Sequence, residues 1–161
     1  MTDSIGPTLR KYWTYLSDKP FGKWIFSRAI GFMAPYSGSI SARVIHLGPG
    51  MGIVRLKEHR NVRNHLNSVH AIALVNLAEM VTGLTLMNSL PDNTRGILTG
   101  IKMDYIKKAR GLVTAKCICD IPQTNESIEL EITGEIANEQ GEVVARAVAT
   151  WLIGPEKERS R

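Results

Sequence analysis

The pattern of apolar and polar positions changes character along the chain. Helical spacing of large apolar residues predicts one helix over residues 8–17 and a second over 21–33, with a break at Asp18-Lys19-Pro20. The period then falls to two over residues 41–47 and 53–59, which predicts a β-hairpin around the glycine-rich turn 48–52. Residues 71–87 are apolar nearly all round, which predicts a buried helix.

The rest of the chain alternates as strands do. Strands are predicted over residues 97–106, 112–121, 127–136 and 143–153, and short turns between them predict an antiparallel meander. One long apolar helix with such a sheet is an α+β layout, in which the sheet wraps the helix or a second subunit covers what remains. We therefore expect a helical, aromatic-rich leader over residues 1–40, an α+β domain over 41–154 and a loose charged tail over 155–161.

Composition narrows the class of protein. With 161 residues, 43% apolar and 22% charged, the chain is typical of a single globular domain. The net charge of +5 suits an anionic partner, but the densest basic group (Lys102, Lys107, Lys108 and Arg110) is too sparse for a nucleic-acid surface. Residues 1–7 lack the apolar core of a signal peptide, so we expect a cytoplasmic protein.

Cysteine and histidine spacing argues against a metal centre. Cys117 and Cys119 alternate along a predicted strand, so both face the same way, and we interpret them as two small buried thiols. No cluster of His, Cys or Asp has the spacing of metal ligands, and no nucleophile elbow of the Gly-x-Ser-x-Gly type occurs.

A lone carboxylate in the core helix is the strongest chemical signal. Glu79 lies in the middle of the apolar run, with no Lys or Arg between Arg63 and Arg95. Burying an unpaired charge is costly, and burial raises the pKa of a carboxyl towards that of a useful general base. The other interpretations are a salt bridge to a neighbouring subunit and a partly exposed position. Its helical neighbours Asn76, Thr82 and Gly83 complete a narrow polar stripe.

The polar loop before the helix holds two more candidates. Asn64 and His70 fit a ligand-binding role, although Asn is common in turns and His70 stands where a helix begins and would bond to its own loop. An ideal helix places His70 half a turn from Glu79, which argues against a direct pair. The first turn of the helix offers unpaired N–H groups, beginning with Ala71, that suit a developing oxyanion.

The spacing of Asn64, His70 and Glu79 resembles the Asn…His-Gly-Gly…Asp/Glu pattern of hotdog acyl-CoA thioesterases related to the phenylacetate-pathway group. Residues 102–110 resemble the strand and turn that follow in those enzymes, and the likeness covers about residues 41–153. The whole chain, with its tryptophan-rich leader, resembles a bacterial hotdog family of unassigned function. This resemblance implies an antiparallel sheet curled around one central helix.

The resemblance also implies roles. Glu79 matches the carboxylate that acts as general base or nucleophile, Asn64 the residue that orients water or the carboxylate, and His70-Ala71 the helix start whose backbone N–H polarises the thioester carbonyl. Helical spacing from Glu79 adds Asn76, Thr82 and Gly83 as expected substrate contacts, and Gly83 would let another backbone or a pantetheine arm come close. The basic residues Lys102, Lys107, Lys108 and Arg110 would meet the phosphates of coenzyme A, which belongs to the substrate, so no separate cofactor is expected.

Related enzymes form homodimers with the active site across the interface, often paired into tetramers. The chain departs from the pattern where Ala71-Ile72 replaces Gly-Gly, and where Leu98 and not Thr99 occupies the position of an assisting hydroxyl. The departure at the helix start keeps open a module that binds acyl-CoA or acyl-carrier protein without cutting it. A dehydratase-like enzyme is the weakest alternative.

The aromatic leader has two interpretations. It packs on the sheet or on a neighbouring subunit and closes an acyl pocket, or it rests on a membrane surface through Trp13, Trp24 and the basic residues beside them. We favour packing.

Overall fold

The computed structural model describes residues 4–124 and 126–156 and contains the predicted elements. Boundaries differ by a few residues, as expected where chain ends fray; residues 157–161 of the expected charged tail lie outside the described residues. The helices are α1 (Ile5–Leu16), α2 (Gly22–Met33), the four-residue α3 (Pro35–Gly38) and α4 (Ala71–Ser89). The strands are β1 (Arg43–Gly48), β2 (Met51–Lys57), β3 (Thr94–Tyr105), β4 (Leu112–Ile118), β5 (Ile128–Ala137) and β6 (Val143–Pro155).

The six strands form one antiparallel sheet in the order β1-β2-β4-β5-β6-β3. The predicted meander is therefore wrong for β3, which pairs with β6 from Thr94↔Pro155 to Tyr105↔Ala145 and not with β4. Alternation identifies a strand but does not identify its partner. The partner here is the free edge of the thirteen-residue β6, which pairs with eleven of the twelve residues of β3; Thr99 lies at a register shift.

The core lies between α4 and the concave face of the sheet. Helix α4 contacts all six strands, and Leu77, Val81 and Leu86 on it are fully buried. The sheet comes close to the helix at Gly134, where a β-carbon would lie 3.2 Å from Thr82 Cγ2. By length and composition α4 resembles a membrane span, but 72% of its 18-residue apolar window is buried by the rest of the chain, as in a core helix. A sheet curled around one helix confirms the expected hotdog fold.

In the leader, α1 packs on the core helix α4, and α2 packs on α1 and on β1. The rings of Trp13 on α1 and Phe26 on α2 pack edge to face, with their centroids 5.0 Å apart, and hold the two helices together. The guanidinium of Arg10 donates to the carbonyls of Asn88 and Leu90 at 3.2 and 3.0 Å, which fixes α1 to the end of α4. The outer side of α2 is open to solvent, where Phe32 is 88% exposed.

The two thiols lie on the inner face of the sheet. Cys117 is buried, Cys119 is half-buried, and their sulfurs are 3.8 Å apart without a disulfide. The interpretation as a buried thiol is confirmed for Cys117, whereas Cys119 is only half-buried and packs against the edge of the core.

Candidate active site

Glu79 projects from the third turn of α4 into a cavity of about 270 Å³ between α4 and the leader. Its half-buried side chain has Met80, Gly83 and Trp151 as fellow wall residues. Within residues 4–124 and 126–156, nothing donates a hydrogen bond to its carboxylate and no cation pairs with it. Loss of hydration is accordingly the cause that raises the pKa of Glu79 above its ordinary value.

The glycine beside this acid makes room for an indole. A β-carbon at Gly83 would lie 2.9 Å from Cη2 of Trp151 and 3.5 Å from Oε1 of Glu79. Trp151 therefore fills the space beside Gly83 that we expected another backbone or a ligand to approach. Its indole Nε1 is buried and has no acceptor among the described residues. Sequence reasoning missed Trp151, although its inward position on β6, in step with Ala147 and Ala149, marks it as a core-facing residue.

The start of α4 is a second polar centre. His70 is the N-cap residue, and its Nδ1 accepts the Ile72 N–H at 3.1 Å while its carbonyl accepts the Leu74 N–H. The Ala71 N–H has no acceptor within the described part of the chain. The hydroxyl of Tyr105 donates to the Ala71 carbonyl at 3.2 Å and ties β3 to this turn. His70 therefore caps the helix, and the Ala71 amide remains available to a ligand.

Asn64 organises the loop that precedes the helix. Its Oδ1 accepts the N–H of Leu66 at 2.9 Å and both the N–H and the hydroxyl of Ser68 at 3.2 Å. A backbone bond from the Asn64 N–H to the Ser68 carbonyl closes the loop. Because its carbonyl oxygen holds the turn, the Asn64 amide nitrogen is the atom left over for a ligand; it makes no hydrogen bond to any described residue.

The expected phosphate-binding residues are dispersed. Lys107 pairs with Glu142 at 2.6 Å, and Lys102 lies 3.8 Å from Asp104 on β3. Arg110 donates to the carbonyl of Asn67 at 3.0 Å. Lys108 has no ion pair within the described residues. The connection 106–111 that carries three of these cations lies beside the Asn64 loop, since the Val69 N–H donates to the Ala109 carbonyl at 2.8 Å.

Two members of the expected polar stripe turn away from Glu79. Thr82 is fully buried, and its hydroxyl donates back to the carbonyls of Ala78 and Glu79. Asn76 is buried under α3, where its amide nitrogen donates to the Tyr36 carbonyl at 3.0 Å. Neither lines the Glu79 cavity, so of the three only Gly83 does.

The structure thus gathers the candidates into two centres on one helix. Ala71 and Glu79 are eight residues apart, which is about 12 Å along an α-helix. One centre is a partner-free acid in an apolar cavity, and the other is a helix start with a free amide, an asparagine loop and nearby cations. Among the described residues no group of three or more His, Cys, Asp and Glu side chains is placed to hold a metal ion.

Comparison with known proteins identifies relatives of this fold. A crystal structure described only as a genomics target is 30% identical, covers 92% of this chain and 99% of its own, and has a TM-score of 0.80. A probable thioesterase of unknown function from Pseudomonas aeruginosa is 21% identical over 81% of this chain and 94% of its own, with a TM-score of 0.73.

A hypothetical thioesterase from Streptococcus pneumoniae, solved with coenzyme A, is 18% identical over 73% of this chain and 91% of its own, with a TM-score of 0.61. No curated protein matches in sequence. The model of the family described as a domain of unknown function, DUF4442, matches residues 22–153. The chain therefore belongs to the DUF4442 family, and it has the hotdog fold of thioesterase-like proteins.

Proposed function

We propose that this protein hydrolyses an acyl-CoA thioester, with Glu79 as the general base or nucleophile. The observation that carries the proposal is a half-buried carboxylate with a raised pKa and no protein partner among the described residues, facing a cavity. Such a group has lost hydration without gaining a stabilising contact, which is characteristic of functional sites. The likeness in fold to a thioesterase solved with coenzyme A supports the choice of substrate.

The reaction needs a base, an oxyanion donor and an orienting group. As general base, Glu79 takes a proton from water, and the hydroxide adds to the thioester carbonyl carbon. The carbonyl oxygen becomes an oxyanion beside the Ala71 N–H, which the positive end of the α4 dipole strengthens. When the carbon–sulfur bond breaks, the proton passes from Glu79 to the thiolate, which leaves as the thiol. The amide nitrogen of Asn64 orients the water or the carboxylate.

Within a single chain the proposed oxyanion donor and the proposed base are too far apart to act on one thioester. A carbonyl polarised by the Ala71 amide is about 12 Å along the helix from the Glu79 of the same chain. A homodimer with antiparallel central helices brings the helix start of one copy to the Glu79 of the other. The unpaired edge of β3 and the exposed side chains of Ile72 and Tyr105 favour a partner on this side. Two such dimers would then pair into a tetramer.

The cationic connection 106–111 lies near the helix start, so in the dimer it flanks the entrance to the site. We place the coenzyme A phosphates there, with Lys108 and Arg110 as their first contacts. Lys107 and Lys102 already have carboxylate neighbours and would contribute long-range attraction. An acyl-carrier protein presents a similar phosphopantetheine thioester and is an equivalent substrate.

The test is thiol release from a panel of acyl-CoAs. Glu79→Gln keeps the shape and removes the base, so we expect kcat to fall by a factor of about 10² or more. Ala71→Pro removes only the proposed oxyanion donor, because proline is well tolerated at the first helical position and His70 already has the extended backbone that proline requires of its predecessor. Its expected loss is about 10²–10³ in kcat.

Thermal unfolding is the control for both variants, and each should unfold no lower than wild type. Mixing the two inactive variants tests the shared site. After subunit exchange about half of the dimers are hybrid, and each has one intact site, so about a quarter of the wild-type rate returns. No recovery would place Glu79 and Ala71 of one chain in the same site. Tight acyl-CoA binding without thiol release would identify a binding module instead of an enzyme.

A further inference from the structure

The groove between the two leader helices adjoins the Glu79 cavity. A cavity of about 340 Å³ runs between α1 and α2, and no charged side chain lines it. Its floor includes Phe26, which is buried against Trp13, and its walls include Thr8, Tyr12 and Ala29. It shares four wall residues with the Glu79 cavity: Ile5, Leu9, Ile30 and Met33. The two cavities are therefore adjacent along these four residues, and together they line an apolar trough with the carboxylate at its inner end.

The charges around Glu79 determine in which direction a bound apolar chain would run from this residue. On the other side of Ser37 and Met80, which line both spaces, lies a polar cavity of about 340 Å³ that Arg28 and Arg43 flank. An apolar chain that starts at Glu79 is excluded from that side by the cost of burying cations against it. It runs instead along α1 towards Leu16.

From the structure we infer that this trough holds the acyl chain of the substrate, so that the protein acts on medium- to long-chain thioesters. The inference rests on the proposed function for the position of the thioester at Glu79. From Ile5 to Leu16 the helix α1 spans about 16 Å. A chain with carbon–carbon bonds of about 1.5 Å advances about 1.25 Å per carbon, so the trough accepts about 12 carbons. The leader is thus part of the site and sets chain length.

Chain-length profiles test the inference. For wild type, kcat/KM should rise from butanoyl- through octanoyl- to dodecanoyl-CoA by about two- to fourfold per methylene, and level off beyond the end of the trough. Ala29→Trp fills the trough from an exposed position on α2, and Thr8→Trp fills it from the α1 side. Each should lower kcat/KM for dodecanoyl-CoA at least tenfold and leave butanoyl-CoA within about twofold.

Lys11→Trp adds the same side chain to an exposed position of α1 outside the trough and should leave the whole profile unchanged. Equal losses on short and long chains in both trough variants, or no loss in either, would overturn the inference. So would a switch from dimer to monomer in both trough variants, because a second copy and not an acyl chain would then occupy the groove.

A binding measurement separates this inference from the proposed hydrolysis. In the Glu79→Gln background, calorimetric titration with the dodecyl thioether of coenzyme A, which lacks the scissile carbonyl, reports chain binding without reaction. Binding that Ala29→Trp and Thr8→Trp weaken at least tenfold supports the trough even if wild type releases no thiol from any acyl-CoA. Affinity that is the same for hexyl and dodecyl thioethers contradicts it even if wild type is an active thioesterase.

Discussion

The polar residues at the start and in the middle of α4 differ in whether the fold gives them hydrogen-bond partners. At the start, Asn64 and His70 make hydrogen bonds that the local backbone needs: one holds a loop and the other caps a helix. In the middle, Glu79 makes none with the described residues and stands in an apolar cavity. The fold explains the first two side chains without any ligand, but it does not explain the third. All three match the motif by type and spacing, so the polar group that the fold leaves unpaired is the better guide to chemistry.

The pH dependence of the reaction gives the largest expected effect. A general base works only when it is deprotonated, and burial raises the pKa of Glu79 above 4.5. We expect kcat/KM to fall about tenfold per pH unit on the acid side of an inflection that lies above that ordinary value. The measurement is kcat/KM for dodecanoyl-CoA across the acid range, with unfolding followed in parallel to exclude acid denaturation. A profile that stays flat down to pH 4.5 would remove Glu79 from the role of base.

Two substitutions at Asn64 distinguish a structural role of this residue from a catalytic one. Asn64→Asp keeps the oxygen that accepts the Leu66 and Ser68 donors and removes the amide nitrogen, whereas Asn64→Ala removes both. If the nitrogen orients water or carboxylate, both variants lose activity, by about tenfold or more in kcat, and only Asn64→Ala also loses about 1–3 kcal/mol of stability. Full activity in a stable Asn64→Asp would show that Asn64 serves the loop alone.

The sequence allowed the fold to be predicted because its elements have strong periods. The all-round apolar run identified α4, and the clean alternation of residues 127–136 identified β5. The position of β3 beside β6 was not predictable from periodicity, since strand partners depend on edges that only the assembled sheet defines.

Within the candidate site, residues near Glu79 on the helix were easier to predict than those from other elements. Gly83 was recognised by its helical spacing from Glu79, but Trp151 and the leader residues Leu9 and Ile30 reach the same cavity from distant parts of the chain. Helical spacing also suggested Thr82, which the structure turns into the core because the sheet closes over that side at Gly134. Sequence spacing describes one helix, whereas a cavity is lined by several elements.

His70 offers a smaller effect at the start of the helix. His70→Ala removes the acceptor of the Ile72 N–H, so we expect a loss of about 1 kcal/mol in the free energy of unfolding. His70→Asn supplies another capping oxygen and should recover most of that loss, together with activity, in denaturant unfolding and thiol-release assays. If His70→Asn is stable but inactive, the imidazole has a role beyond capping, and the contrast with Glu79 is weaker than the hydrogen bonds indicate.

Glu79→Gln is expected to change stability in the direction opposite to His70→Ala, by a smaller amount. Because the pKa of Glu79 is raised in the folded state, folding binds its proton more tightly, and the wild-type protein loses stability as the pH rises from 4.5 through the folded-state pKa. Glutamine has no charge to bury. The stability gain of Glu79→Gln over wild type is therefore absent at pH values below 4.5 and complete at pH values above the folded-state pKa of Glu79.

We expect Glu79→Gln to raise Tm by roughly 1–3 °C at neutral pH and to leave it unchanged at acid pH. Glu131→Gln, which changes an exposed carboxylate on the outer face of β5, should leave Tm unchanged at both. The measurement is calorimetric unfolding of the three proteins over the two pH ranges. A Glu79→Gln protein less stable than wild type at neutral pH would show that the carboxylate has a stabilising partner in the assembled protein, as a salt bridge across subunits would supply. In that case Glu79, like Asn64 and His70, would have a structural role.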